Sequence, residues 1–348
     1  MIPLFKPYVP ETLPELDNIL HSGALSYGKW GKKFECSLCE FIGNDYLLTT
    51  NSYASAIQLA LTVLGLSFGD EVITSPMSCL ASNQPLLTFG LKIVWADIDP
   101  KTGTLCPDSV KEKITSKTKL IFHNHFCGYV GYVDEINSIG KQLGIPVIDD
   151  CVEAFGTKYK GKYTGNLGTD ISLFSFQTVR LPNTIEGGAV IFNDSKLYEQ
   201  ALLMRDYGIE RERFRDKNGE ISINCDIRLP GFGAMMNEIN SYIGYSQIDK
   251  IESLLKYQKE NALSWETELG SSSLLSRDEI EPNYWVFGIL SERKSIDLIN
   301  FRSLGYYSSG VHLPNNYYSV FGKRIILPGV ENFYSKFLAL PSGWWFKR

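Results

Sequence analysis

The sequence predicts an α/β protein with a mostly parallel sheet covered on both faces and a smaller α+β domain at the C-terminal end. Three observations carry this expectation. Short apolar runs alternate with helix-spaced stretches from residue 46 to residue 149, the pattern of strand–helix units. The turns between them are short. Several runs end in polar residues, most sharply residues 145–150, IPVIDD, which close on Asp149 and Asp150. Open α/β sheets bind ligands at the carboxyl ends of such strands.

In chain order, residues 1–11 read as an extended arm, and 13–22 and 32–41 as helices. Strands at 46–49, 71–74, 93–97, 119–123 and 145–149 alternate with helices at 54–64, 80–88, 108–114 and 134–143. A Gly-rich hairpin follows, then a strand over 171–176, a polar loop carrying Arg180, and a strand over 189–192 entered through Gly187 and Gly188. A helix is expected over 196–206. The charged run IERERFRDKNGE reads as a loop or ribbon, residues 237–269 as helix with a break near Asp249, and 284–290 as strand-like. The expected division is a large domain over 1–249 and a small one over 250–348.

With 348 residues the chain can bury a substantial core. Its 44% apolar and 21% charged content is that of a water-soluble globular protein. A net charge of −5 with no Lys/Arg block argues against nucleic acid as a partner. The start, MIPLFKPYVP, has no signal-peptide core, and no run has the length of a membrane span. The expected location is the cytoplasm. Seven cysteines are scattered, and Cys36 and Cys39 form one C-x-x-C without the second pair a zinc site needs. They read as buried helix cysteines, and no metal site is expected.

The run Thr49-Thr50-Asn51-Ser52-Tyr53-Ala54 joins a strand to a helix. Small hydroxyl residues at a helix N-terminus can seat a phosphate, or they can simply cap the helix. His123 and His125 are two apart on a strand and face one side, which suggests one core histidine and one lining a site. Asp150 can hold a protonated ring nitrogen or cap the next helix.

Taken in order, NSYASAIQLALTVLGLSFGDEVIT, WADIDP, FHNHFCG, PVIDDCVEAFG and FSFQTVRLPNTIEGGAV resemble the DegT/DnrJ/StrS family of pyridoxal-phosphate (PLP) dependent aminotransferases of nucleotide-linked keto-sugars. YGIERERF, AMMNEINSYIGYSQI, GVHLPNNYYSVF and LPSGWW extend the resemblance over nearly the whole chain. It implies an aspartate-aminotransferase-like large domain (PLP fold type I), a homodimer with shared sites, and a nucleotide-linked sugar as partner. It also implies site roles. Ser52, Tyr53 and Ala54 would seat the cofactor phosphate together with Ser175, and Gln177 follows in the same run. Asp150 would meet the pyridinium nitrogen, Glu153 would lie near the phenolic oxygen, and Asn237 would reach the neighbour's cofactor. Apart from the resemblance, the strand spacing offers His125 as the histidine that lines the site, a catalytic candidate.

Three positions depart from the pattern. The Schiff-base lysine, five residues after the serine of the FSF run, is Arg180, whose guanidinium stays protonated and has no nucleophilic amine. The phosphate-loop threonine is Tyr53, and the cofactor-stacking aromatic is Cys79. Lys158, Lys160 and Lys162 belong to the preceding hairpin. Three readings follow. The protein could be an enzyme that uses PLP or pyridoxamine phosphate (PMP) noncovalently, as relatives with a histidine at the lysine position do, in surface-polysaccharide or deoxysugar biosynthesis. It could be a pseudoenzyme that binds sugar nucleotides or partners an active aminotransferase. Arg180 could also be an introduced change in an ordinary aminotransferase.

Overall fold

The computed structural model describes residues 1–270 and 279–348. The extended arm leads into α1 (Leu16–His21) and α2 (Lys29–Ile42). Then follow β1 (Leu47–Thr50), α3 (Tyr53–Val63), β2 (Glu71–Thr74), α4 (Leu80–Thr88), β3 (Lys92–Trp95), α5 (Pro107–Lys113), β4 (Thr118–Asn124), α6 (Val133–Leu143) and β5 (Val147–Asp150). A small hairpin, β6 (Lys158–Tyr159) and β7 (Lys162–Tyr163), precedes β8 (Ile171–Ser175), β9 (Gly188–Phe192) and α7 (Ser195–Met204).

The helices form where the apolar period allows it. In α2 the buried residues Trp30, Phe34, Leu38 and Ile42 recur every four positions as one stripe, of which Phe34, Leu38 and Ile42 pack against the sheet. In α6 Val133, Ile136, Ile139 and Gly140 do the same, and Gly144 ends the helix in the left-handed conformation. Strands β1, β2, β5, β8 and β9 are buried along their whole length, as expected for a sheet with helices on both faces.

The seven-stranded sheet runs β1-β9-β8-β5-β4-β2-β3. Its strands are parallel except β9, which is antiparallel to both β1 and β8. That reversal was not expected from the sequence. Residues 176–187 contain no helix to carry a crossover, so the chain turns straight back into a hairpin. The carboxyl ends of β4, β5 and β8 lie side by side in the middle of the sheet and present Asn124, Asp150 and Ser175 at one edge.

The charged run contains one helical turn, α8 (Arg211–Phe214). The long helical stretch is divided into α9 (Glu238–Tyr245) and α10 (Ile251–Leu269) by a 3-10 turn over Ile248–Lys250. A short β10 (Ile280–Glu281) pairs with β6. Then β11 (Phe287–Leu290) pairs antiparallel with β12 (Phe337–Leu340), with α11 (Lys294–Ser303) and α12 (Pro328–Lys336) between them. The strand expected from residue 284 starts later because Tyr284 has a positive φ of 51° and the Trp285 N–H turns inward to Asn283 Oδ1.

The C-terminal sheet has its own core of Ala262, Trp265, Phe287, Ile289, Leu338 and Leu340. A second cluster joins it to the large sheet, with Trp95 and Phe126 packed against Trp285, Phe333 and Phe337. The arm is pinned here too: Ile2 bridges Tyr306, and Phe5 stacks on Trp285 at 4.4 Å. One expectation fails on α2, where Cys36 is exposed and Cys39 only partly covered, because the buried stripe passes through Leu38 instead. No helix among the described residues is long and apolar enough to cross a membrane.

Candidate active site

Asp149 and Asp150 are consecutive on β5, so their side chains leave opposite faces of the sheet. This alternation separates the expected site residues into two groups. Asp150 shares its face with Tyr53, and Asp149 shares the other with His123 and His125.

The Asp149 group is a hydrogen-bonded core network. His123 Nδ1 lies 2.9 Å from Asp149 Oδ1, and Thr169 Oγ1 donates to Asp149 Oδ2 at 2.5 Å. His125 Nε2 is 3.7 Å from the same Oδ2, while the Gly131 N–H donates to His125 Nδ1 at 3.2 Å. All three side chains are buried. Burial alone would raise the Asp149 carboxyl, but the two histidines outweigh it and hold it well below the usual carboxylate range. One ligand atom from each residue lies within 4.8 Å of the others; Asp149 is already engaged with His123 and Thr169, while His125 Nε2 has no hydrogen-bond partner. His125 therefore does not line the Asp150 site. Strand alternation, which predicted that it would share a side with His123, puts both in the core.

On the other face, the Tyr53 hydroxyl donates to Asp150 Oδ1 at 2.6 Å. The Val152 N–H donates to the same oxygen at 3.1 Å, and Oδ2 is buried with no hydrogen-bond partner. Burial raises the Asp150 carboxyl despite the opposing pull of Ser82, Tyr53 and Val152. Burial and the neighbouring carboxylate together push the Tyr53 phenol far up, so it remains a donor. Ser52 caps α3, its Oγ accepting from the Ser55 N–H at 3.1 Å. The first residue of that helix is Tyr53. The side chain at 53 was expected among the groups seating a phosphate; its hydroxyl instead turns inward to Asp150, because a tyrosine is long enough to cross from the loop to the strand. Ala54 is exposed.

Glu153, three residues after Asp150, is buried and holds a second cluster. Its Oε2 accepts from the Cys127 N–H at 2.7 Å, and its Oε1 is 2.7 Å from His312 Nε2 and 3.6 Å from Arg180 Nη1. Burial would raise this carboxyl, but His312, Arg180 and the Cys127 N–H lower it below its ordinary value. Arg180 lies 4.4 Å over the ring of Trp285, a cation–π seat. Only 8% of Arg180 is exposed, and its Nε and Nη1 have no hydrogen-bond partner. Cys79 precedes α4, and its thiol is raised first by burial and then by Glu153.

Ser175 is buried at the end of β8, its Oγ accepting from the Gln177 N–H at 3.3 Å; Gln177 itself is exposed. Asn237 is exposed and caps α9 through the Asn240 N–H at 2.8 Å, so within one protomer it does not meet Asp150.

Four contributors have no local sequence signal. His312 lies in the GVHLPNNYYSVF segment, 159 residues from Glu153. Trp285 is placed by Asn283, whose side-chain amide donates to the carbonyls of Glu153 and Phe155 at 2.9 Å each. Ser82 acts on both Tyr53 and Asp150 from α4. The loop bearing Cys79 is held by Asn315, which donates to the Ser78 carbonyl at 2.9 Å and accepts from Asn83 at 3.0 Å.

The lysines of the β6–β7 hairpin lie elsewhere: Lys158 faces the Tyr163 ring and Lys160 pairs with Asp134. The carboxylate that would meet a ring nitrogen already meets a phenol. What the cluster can do is hold an anion on a buried guanidinium whose nearest carboxylate is committed to two other donors.

A model of the DegT/DnrJ/EryC1/StrS aminotransferase family matches residues 8–344. Three solved structures share the fold. The sugar aminotransferase CalS13 from Micromonospora echinospora is 27% identical with a TM-score of 0.93, over 100% of this chain and 96% of its own. AtS13 from Actinomadura melliaura is 29% identical with a TM-score of 0.92, over 100% and 95%. PseC from Helicobacter pylori, an aminotransferase involved in the biosynthesis of pseudoaminic acid, is 26% identical with a TM-score of 0.85, over 97% and 92%.

Proposed function

This chain belongs to the DegT/DnrJ/EryC1/StrS aminotransferase family, and we propose that within it the protein binds a nucleotide-linked sugar without forming a lysine–PLP bond. In this reading Arg180 stands where the family's Schiff-base lysine would be. The protein is then a diverged relative of the sugar aminotransferases, cytoplasmic and homodimeric, that serves as a catalytically silent sugar-nucleotide binder or as partner subunit of an active enzyme. The observation that carries the proposal is Arg180 itself: a guanidinium buried over Trp285, with two unpartnered nitrogens, 3.6 Å from Glu153. An arginine cannot add to an aldehyde or shuttle a proton at neutral pH. It can pair with a phosphate or carboxylate. Glu153, tied to His312 and the Cys127 N–H, faces the guanidinium and helps hold it in place.

Calorimetry with several nucleotide sugars on wild type and Arg180→Gln tests this. Binding by wild type that weakens at least tenfold in Arg180→Gln is expected. Absence of binding with every nucleotide sugar, or binding that ignores the substitution, refutes it. In parallel, borohydride treatment with PLP followed by intact mass is expected to show no site-specific adduct. A stoichiometric adduct on one lysine refutes the absence of a lysine–PLP bond.

A second reading, an enzyme holding PMP noncovalently, has one observation in its favour. Asp150 Oδ2 is buried without a partner and can accept from a ring nitrogen. In that case the Tyr53 ring has to leave its place.

A further inference from the structure

We infer that Tyr53 is the protein's own ligand for Asp150, and that it determines specificity by excluding aromatic nitrogen ligands from the pocket. The inference goes beyond sugar-nucleotide binding and does not depend on it.

The argument begins with the carboxylate. Asp150 is fully buried, and the one guanidinium of the cluster is engaged with Glu153 and Trp285. A buried carboxylate needs donors or a cation. In this chain the donors are the Tyr53 hydroxyl at 2.6 Å and the Val152 N–H at 3.1 Å, with the Ser82 hydroxyl of α4 beside them. A protonated pyridine would approach the same group as a flat six-membered ring with a donor at its tip. Tyr53 supplies that shape and that donor from within the chain.

Its place is fixed from behind. Thr50 Oγ1 donates to the Ser52 carbonyl at 2.8 Å, and Ser52 caps the helix that starts at Tyr53. Gly188 of β9 passes so close that a Cβ there would lie 2.9 Å from the Ser52 carbonyl oxygen and 2.9 Å from Tyr53 Cα. The backbone at 53 therefore cannot withdraw toward β9, and the side chain has to span the gap between loop and strand. Only 4% of Tyr53 is exposed. Two rings cannot share that space, so a ring ligand and the phenol are mutually exclusive. Replacing Tyr53 with a short residue leaves a ring-sized cavity that ends in the Asp150 carboxylate.

The test measures PMP binding by calorimetry on the full-length protein and on Tyr53→Thr, Tyr53→Phe and Tyr53→Thr/Asp150→Asn, with circular dichroism and light scattering to show that each is folded. Wild type and Tyr53→Phe are expected not to bind at millimolar PMP. Tyr53→Thr is expected to bind at least tenfold more tightly, and the double variant to lose that gain. Tyr53→Ala adds an arm without phosphate chemistry: 4-methylphenol should raise its melting temperature and leave wild type unchanged. Wild-type PMP affinity within threefold of Tyr53→Thr overturns the inference, even if nucleotide-sugar binding stands. So does a folded Tyr53→Thr that ignores PMP, or a gain indifferent to Asp150→Asn. If Tyr53→Thr does not fold, the wild-type measurement and the 4-methylphenol arm decide, and failure of either overturns the inference.

Discussion

Removing the Tyr53 hydroxyl while keeping its ring should destabilise the protein in a pH-dependent way. Tyr53→Phe leaves the apolar burial nearly intact and deletes one hydrogen bond of 2.6 Å to a buried carboxylate. Hydrogen bonds to charged partners contribute about 1.5–3 kcal/mol, and this one is short. The carboxylate left behind keeps the Val152 N–H and the pull of Ser82. A loss of about 2 kcal/mol is expected at pH 8. The sign of the pH effect follows from Asp150, whose folded value lies above the ordinary one and is pulled down by Tyr53. Without the hydroxyl that value rises further. A protonated Asp150 does not need the donor, so the cost is largest where Asp150 is ionised and shrinks as pH falls through its folded titration. Urea denaturation of both proteins at matched concentration from pH 4.5 to 8 measures it, and Asp150→Asn in both backgrounds completes a double-mutant cycle. A loss equal at every pH, or below about 0.5 kcal/mol at pH 8, refutes the assignment of the contact.

Arg180→Lys alone is expected to give little borohydride-trapped PLP, and Arg180→Lys/Tyr53→Thr to give an adduct at residue 180 by peptide mapping; a full adduct in the single variant would show that Tyr53 is no obstacle. The wild type is expected to be a dimer by light scattering at micromolar concentration, and a monomer would remove any cross-subunit role for the exposed Asn237. Asp149, held low by His125 and His123, contributes stability that is full above the ordinary carboxyl value of roughly 3.9 and declines as pH falls below it. Asp149→Asn should flatten the acid arm of the stability profile, and an unchanged arm would place the acid sensitivity elsewhere.

The parallel part of the sheet was legible because its strands are short, apolar and separated by amphipathic helices; residues 71–74 and 80–88 fall on β2 and α4 as read. Direction was not legible. A buried strand has the same composition running either way, so the reversal of β9 shows only in the missing crossover helix. In the site, Asp150, Glu153, Ser175 and Arg180 fall within one stretch of chain, which made them easy to single out together. His125 went to the wrong face, since the period places it relative to His123 but not relative to the pocket. His312, Trp285 and Asn283 enter from more than a hundred residues away, through contacts with Glu153, Arg180 and the 153–157 turn. No local pattern encodes such pairings.

The hairpin between β8 and β9 has a consequence for how such a protein can change over generations. Its base is closed by the Phe176 N–H to the Gly187 carbonyl at 2.9 Å and the Thr184 N–H to the Phe176 carbonyl at 2.7 Å. Those main-chain links hold whatever side chain sits at position 180. The main-chain pairing of the hairpin is therefore indifferent to the residue at the centre of the loop, although the contacts of Arg180 with Trp285 and Glu153 are not. The chemistry carried there can be exchanged in one step while the main-chain pairing of the hairpin is kept. A loop transplanted from a lysine-bearing relative should likewise seat itself on the same two strands.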